Sequence, residues 1–412
     1  MSLPTRNHDR VLVAGAGPVG LFCALLLGRR GVPVRVFEAN RELQADPRAA
    51  TTHPATLEVL GEAGLVEEMK RVGLLAPIFQ FWDRPTNRLI AEFDLDLLKQ
   101  ETRFPFVIQC EQFKTARIMM REIERLPNVE ILFAHEVRAA EQDEAGVHVS
   151  VCGPHGEQIH AGAFLIGADG GRSVVRKQAG LAFEGFTWAE RFLVLTTPFD
   201  FQARRGYSYR SYFADPNEWC NCFKVAGEGP PGLWRTVFPT APEASEAELL
   251  SDRAVQDRLQ KFFPSSQDYE VVHRNLYTTH QRVASAFRKG RILLAGDAAH
   301  VNNSIGGMGL NGGLQDAANL SDKLAAVIGG ASERLLDLYS SQRRTVSIEF
   351  VQAQSISNKK QLEAREPAQR ERNFAELAAT AADPARARDF LLRSSMIAMQ
   401  RRAASICLEE AA

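Results

Sequence analysis

The chain has 412 residues, enough for two or three domains or one large interleaved unit. Its 45% hydrophobic and 24% charged content is that of an ordinary globular protein rather than a disordered or fibrous one. Lysine and arginine total 49 against 50 acids, a formal charge of −1, so the chain lacks the basic surplus that nucleic acid or an anionic membrane would call for.

In chain order, the polar stretch Thr5–Arg10 leads directly into an apolar strand, Val11–Ala14, without a signal-peptide cleavage pattern. No apolar run reaches membrane-spanning length, and a cytoplasmic location is expected. Six cysteines (Cys23, Cys110, Cys152, Cys220, Cys222, Cys407) follow neither zinc-site nor disulfide spacing, so no metal site is expected. After the strand comes Gly15-Ala16-Gly17-Pro18-Val19-Gly20, then a helix over Leu21–Arg30 and a strand over Val34–Phe37 that ends in Glu38. This is a βαβ unit with a phosphate loop. Gly15 permits the tight turn, Gly17 lets backbone approach a pyrophosphate, and Gly20 lets helix and strand pack closely. The helix N-terminus offers unpaired N–H groups to the phosphates. Glu38 suits ribose hydroxyls and would repel a 2′-phosphate, which favours FAD or NAD over NADP at this loop.

Pro54–Val66 reads as a helix, Phe104–Ile108 as a strand and Glu111–Arg125 as a helix. Val129–Phe133, Val147–Val151 and Gln158–Ala161 read as strands, and Phe164–Ala168 is a strand followed by Asp169-Gly170. From Phe192 to Val272 alternation dominates, in Tyr207–Phe213, Cys220–Val225 and Trp234–Phe238, predicting an inserted antiparallel sheet. Arg291–His300, RILLAGDAAH, repeats the earlier design of apolar strand, glycine and acid; the chain is then mainly helical. The fold class is therefore α/β: a Rossmann-like domain (1–75, 105–190 and 275–335), an interleaved antiparallel-sheet substrate domain (76–104 and 191–274) and a helical C-terminal region (336–412).

Three acids at three strand ends, Glu38, Asp169 and Asp297, imply one long hydroxyl-rich ligand crossing the carboxyl edge of the sheet. FAD fits, with its adenosine half at Glu38 and its ribityl chain at Asp297. The run Gly306-Gly307-Met308-Gly309-Leu310-Asn311-Gly312-Gly313 opens a helix through Leu314–Val327, where backbone could lie against a flat ring and N–H groups could stabilise negative charge on reduced flavin.

These motifs, in this order, resemble the single-component FAD-dependent aromatic hydroxylases, the para-hydroxybenzoate hydroxylase-like flavoprotein monooxygenases. The resemblance spans about residues 10–350. Asp46-Pro47-Arg48-Ala49, LPNVEI (126–131), GLWR (232–235), THQR (279–282) and FRKGRILLAGDAAH (287–300) give a narrower likeness to para-nitrophenol 4-monooxygenases and 6-hydroxy-3-succinoylpyridine 3-monooxygenases. What it implies is a monooxygenase that takes NADH or NADPH and O2, hydroxylates a phenol-type or hydroxypyridine ring through a flavin C4a-hydroperoxide, and, in the narrower groups, expels a para substituent. It assigns FAD contacts to Gly15, Gly17, Pro18, Val19, Gly20, Glu38, Arg48, Gln112, Asp169, Asp297, Gly309, Leu310 and Asn311. Ser304 stands where many relatives have a proline.

The protein itself must orient a small aromatic substrate and exclude water. His280 is the candidate proton relay and Tyr212 a polar option on the sheet, beside Asn221. Tyr207, Tyr209, Phe213, Phe223, Trp234 and Phe238 are candidates for stacking on a ring. The helical tail after Leu335 leaves two arrangements open: a homodimer formed through it, or a tail that caps its own domain. The rival readings are an FAD-dependent oxidase or halogenase of the same fold, and a flavin-binding redox-sensing module.

Overall fold

The computed structural model describes residues 10–45 and 49–408. Its first sheet has six strands in the order Arg288–Lys289, Ile292–Leu294, Phe164–Gly167, Val11–Ala14, Val34–Glu38, Val129–Phe133. All neighbours are parallel except the short hairpin Arg288–Lys289/Ile292–Leu294. The central strands are apolar at every position because helices cover the sheet. The helix Pro18–Arg29 packs between Gln112–Ile123 and the 21-residue helix Met308–Ile328. In register, Ala14 lies beside Phe37 on one side and Gly167 on the other, and Gly167 beside Leu294. Four strands that carry the motifs thus end together along one edge. Three strand spacings, ~15 Å, separate the strand of Glu38 from that of Asp297.

A second sheet has eight strands, in the order His300–Val301, His273–Ala284, Phe183–Thr197, Leu233–Pro239, Cys220–Val225, Arg210–Ala214, Ile78–Asp83, Arg88–Asp94. Both faces are covered. Leu193, Phe213, Trp234 and Phe238 pack on one face against Val255, Leu259 and Phe262 of the helix Asp252–Phe262. Phe79, Phe192, Val194 and Tyr212 point the other way, under C-terminal helices that contribute Leu362, Phe374, Leu377 and Leu391. The tail therefore caps this sheet. A three-stranded meander, Glu136–Gln142, Val147–Gly153 and Gly156–Gly162, completes the larger β elements.

Several expected elements change. The helix expected over Pro54–Val66 is two, Pro54–Glu62 and Val66–Val72, parted at Gly64 with φ of +67°. The strand expected over Phe104–Ile108 forms at Val107–Gln109, and that expected over Tyr207–Phe213 begins at Arg210. The two longest strands, Phe183–Thr197 (15 residues) and His273–Ala284 (12 residues), pair along their length with a bulge between Thr187 and Arg191. The expected domain boundaries at 190/191 and 274/275 fall inside them; their many polar residues weaken the alternation that marks a strand. No helix among the described residues is long and apolar enough to cross a membrane.

Leu391 is fully buried between the tail and the sheet. Leu391→Ala is expected to cost about 2–5 kcal/mol, read as a lower urea midpoint.

Candidate active site

The glycine motifs meet. Gly15 has φ of +99°, and a Cβ there would lie 2.5 Å from the Ala168 carbonyl oxygen, at the end of the neighbouring strand. A Cβ on Gly20 would run into the Gly15 carbonyl oxygen. Cβ atoms on Gly296 and Gly313 would lie 2.9 and 2.7 Å from Val19 Cγ2. The Val19 side chain of the first loop thus packs on both glycines, and the late glycine helix meets the Gly-Asp stretch backbone to backbone at Gly313 and Gly296. Gly17 differs: a Cβ there meets nothing within 4 Å, and it caps the helix Pro18–Arg29 without a side-chain bond. Pro18 occupies the first helical turn, where its missing N–H costs no bond.

Glu38 ends its strand with its carboxylate turned onto the loop. Oε2 accepts from Ala16 N at 2.8 Å, and Oε1 accepts from Asn40 N and Nδ2 at 2.9 and 2.6 Å. A carboxylate oxygen has two lone pairs, so Oε2 retains one for a ribose hydroxyl. Asp169 is differently engaged. Its carboxylate accepts from Ser173 Oγ at 2.5 Å and from Val174 N and Val175 N at 2.7 and 3.1 Å, capping the short helix Val174–Gln178. Asp297 is exposed on the turn Gly296–Ala298 at the same sheet edge. Gln112 opens its helix, and its N–H donates to the Ala49 carbonyl at 2.8 Å. Arg48 lies outside the described residues.

Asn311 is fully buried, and its amide joins two segments. Oδ1 accepts from His53 N at 2.8 Å; Nδ2 donates to the Thr51 and Gly307 carbonyls at 2.7 and 2.6 Å. Its side chain therefore positions the glycine turn, and Gly309 and Leu310 lie half-buried on the first turn of that helix. His53, absent from the sequence candidates, donates Nε2–H to the Gly306 carbonyl at 2.7 Å. Burial, and then the charge of Arg210, push its pKa down to about 3, so the ring is neutral at working pH.

Sequence reading also missed the polar node beneath these loops. Asp316, 0% exposed, accepts from His300 Nε2 and Arg343 Nε, both at 2.7 Å, and from Gly296 N at 3.1 Å. Arg343 Nη2 also donates to the Gly312 carbonyl at 3.2 Å. Burial would raise the carboxyl pKa; the charges and hydrogen bonds of His300 and Arg343 outweigh it and hold the group below its ordinary value. The only trace in the sequence is an acid in an otherwise apolar helical stripe.

Next to the glycine turn lies an aromatic pocket. Phe79, Phe81, Ile305, Met308, Leu362 and Phe390 form its walls, and Arg210, Tyr212, Gln354 and Asn358 supply polar groups. Tyr212 Oη accepts from Arg210 Nε at 2.9 Å. Of the aromatic candidates, Phe223 lies on this face, paired in register with Arg210, two residues before Tyr212 on the same strand. Tyr207, Phe213, Trp234 and Phe238 pack in the core of the opposite face. His280 is not brought to the pocket. On its strand Gln281 turns inward to Ser355 and Asn303, while His280 is exposed with Nδ1 2.9 Å from Thr187 Oγ1. A hollow lined by Glu92, Asp94, Asp96 and Leu97 contains none of the motif residues.

Residues 9–354 match the FAD binding domain family. The chain belongs to that family. It is 37% identical over 388 residues to the para-nitrophenol 4-monooxygenase of Pseudomonas sp. (strain WBC-3), covering 93% of this chain and 94% of that one. It is 33% identical over 365 residues to the 6-hydroxy-3-succinoylpyridine 3-monooxygenase HspB of Pseudomonas putida (strain DSM 28022 / S16), covering 87% and 90%. The crystal structure of p-nitrophenol 4-monooxygenase PnpA from Pseudomonas putida DLL-E4 superposes with a TM-score of 0.90 at 34% identity, over 97% of this chain and 99% of that one. FAD is thus the cofactor, with NAD(P)H and O2 as co-substrates. The residues present fit it: open space at Gly17, a carboxylate at the second strand end and a backbone-only surface at the late glycine turn.

Gly17→Ala is expected to leave the urea midpoint without FAD unchanged and to weaken FAD binding ~10-fold or more, because only the pyrophosphate would meet the added methyl group. Asp316→Asn is expected to cost about 3–5 kcal/mol in urea unfolding. Since the Asp316 pKa is lowered on folding, its contribution is complete above the unfolded carboxyl value near ~4. It falls away as pH drops through the folded value, so wild type and Asp316→Asn should converge in stability under acid.

Proposed function

We propose that the chain is an FAD-dependent monooxygenase that uses NAD(P)H and O2 to hydroxylate a phenol-type or hydroxypyridine ring. One observation carries this reading. Ile305 and Met308, which line the aromatic pocket, immediately flank Gly306-Gly307 of the glycine turn, so a flat ring lying on that turn would face the pocket. When bound, FAD accepts hydride from NAD(P)H and delivers one oxygen atom of O2 to the substrate.

The chain's own residues hold, orient and enclose. Phe79 and Phe81 offer aromatic surface to a ring, and the helices Ala353–Leu362 and Pro384–Ser394 cover it from water. Tyr212 presents a hydroxyl to a polar substituent. The relatives' names specify position 4 of para-nitrophenol and position 3 of 6-hydroxy-3-succinoylpyridine, in each case the carbon para to the hydroxyl that already bears a substituent. Attack at such a carbon, with loss of the substituent, is the specific form of the proposal.

The domain division given above, a cytoplasmic location and the site roles of the named glycines and acids belong to this reading. The six cysteines form no disulfide, as in a reducing compartment. The tail's packing on its own sheet favours capping over dimer formation as its role.

A panel of para-substituted phenols and hydroxypyridines tests the reading, through NAD(P)H oxidation and product identification. At least one compound should accelerate oxidation and be recovered hydroxylated; peroxide without hydroxylated product from any of them would instead fit an oxidase. With an active substrate, Tyr212→Phe is expected to lower kcat/KM about 10-fold, and His280→Ala less than about 3-fold.

A further inference from the structure

We propose that Gln281 is a positioning residue for the oxygen-transfer reaction. Through Asn303 and Ser355 its side chain ties the glycine turn to the helix that roofs the aromatic pocket, and so fixes the gap in which a flavin ring and a substrate ring must meet. This rests on the hydroxylase reading and deepens its account of that site.

The turn cannot hold its own position. Residues 301–313 contain no proline, and the turn passes through Gly306 and Gly307 with φ of +96° and +69°. Consecutive glycines leave the backbone its greatest conformational freedom, so partners outside the turn must set its place. Asn311 and His53 donate to the Gly307 and Gly306 carbonyls and fasten the turn to the 51–53 segment. A third anchor lies upstream, and it belongs to the second sheet and the roof.

Gln281 is that anchor, and it is 2% exposed. Its Oε1 accepts from Asn303 N at 3.2 Å, Asn303 Nδ2 at 3.3 Å and Trp188 Nε1 at 3.2 Å; three donors share two lone pairs, which accounts for the long distances. Its Nε2 donates to Ser355 Oγ at 2.9 Å and to the Gln352 carbonyl at 3.4 Å. Asn303 passes the constraint on. Its Nδ2 also donates to the Ser355 carbonyl at 3.1 Å, and its Oδ1 accepts from Ile305 N at 3.0 Å. Ile305 is a wall of the pocket and the residue before Gly306.

On the other side, Ser355 belongs to the helix Ala353–Leu362, which contributes Gln354, Asn358 and Leu362 to the same pocket. That helix follows a π-helical turn, Ser347–Gln352, a form found frequently at functional sites. Gln352, its last residue, donates Nε2–H to the Val301 carbonyl at 3.0 Å. Turn and roof fit closely: a Cβ on Gly306 would lie 2.7 Å from Asn358 Nδ2. Both polar ends of the Gln281 side chain thus serve to join strand, turn and roof. Any displacement of one part would leave a buried donor or acceptor unpaired, which makes the joint stiff. Gln281 is not among the residues that line the pocket, so it acts through Asn303 and not by touching a ring.

The test uses FAD-loaded protein and two readouts. One is the visible circular dichroism of the bound flavin, which reports the surroundings of the ring without turnover. The other, with an active compound from the phenol and hydroxypyridine panel, is hydroxylated product formed per NAD(P)H oxidised. In Gln281→Leu and in Asn303→Ala the flavin signal should change. Product per NAD(P)H should fall about 3-fold or more, with peroxide making up the difference, while the Kd for FAD changes less than about 3-fold. Gln281→Glu keeps the acceptor that Asn303 requires and should recover most of the wild-type signal. The double variant Gln281→Leu/Asn303→Ala should be no worse than the worse single variant, since both changes cut one link. Trp188→Phe removes a bond from the same oxygen but leaves both of those from Asn303, and should keep the wild-type signal and product yield. A flavin signal unchanged in both single variants overturns the proposal. So do additive effects in the double variant, and so does a Trp188→Phe change as large as that of Asn303→Ala, which would reduce Gln281 to a packing role. If Gln281→Leu fails to fold, Asn303→Ala against Trp188→Phe decides the outcome. If the wild type hydroxylates no compound of the panel, the hydroxylase reading falls, and the flavin signal still decides whether Gln281 positions the turn.

Discussion

A buried carboxylate with a full set of partners holds the late half of the cofactor site together. Asp316 sits inside the helix Met308–Ile328 and reaches back to Gly296 N and His300 of the Gly-Asp stretch, and forward to Arg343 of the helix Arg334–Val346. Alone, a charge at 0% exposure would be untenable; with a cation on one oxygen and two N–H donors on the other it is held firmly. Three segments far apart in sequence are thereby fixed at one point. That point sets where the exposed Asp297 lies relative to the glycine turn, and hence where a ligand spanning both would rest.

The second sheet sets an aromatic pocket beside this fixed edge. Helices cover both of its faces, so it has two buried surfaces, one of which lines the pocket. Successive residues of the strand Arg210–Ala214 divide between them: Tyr212 faces the pocket and Phe213 the far core. The hairpin Ile78–Asp83/Arg88–Asp94 adds Phe79 and Phe81 to the pocket side, and the tail roofs it. Little water can reach a ring held there, which strengthens each polar contact.

The parts of this arrangement legible in the sequence are those whose cause is local. A strand, a glycine turn and a helix start within ten residues of one another, and the parallel strands read as continuous apolar runs. The parts that were not legible depend on packing. Nothing local marks Asp316 and Arg343 as partners, since they are 27 positions apart. An acid after a strand looks the same whether or not it also accepts from the next helix, as Asp169 does. In a sheet covered on both sides, aromatic alternation does not reveal which side the ligand uses, so Trp234 and Phe238 looked as suitable as Phe223. His280 lies on the strand His273–Ala284 but on its outward side, and the alternation of that strand alone does not say which of its two faces is turned inward.

The two longest strands carry a mechanical consequence. Phe183–Thr197 and His273–Ala284 run as a long ladder beside the strand at His300–Val301, broken in register at the bulge between Thr187 and Arg191. Such a ladder resists bending on either side of that bulge, so any flexing between the two sheets' shared edge and the far end of the ladder concentrates at residues 187–191.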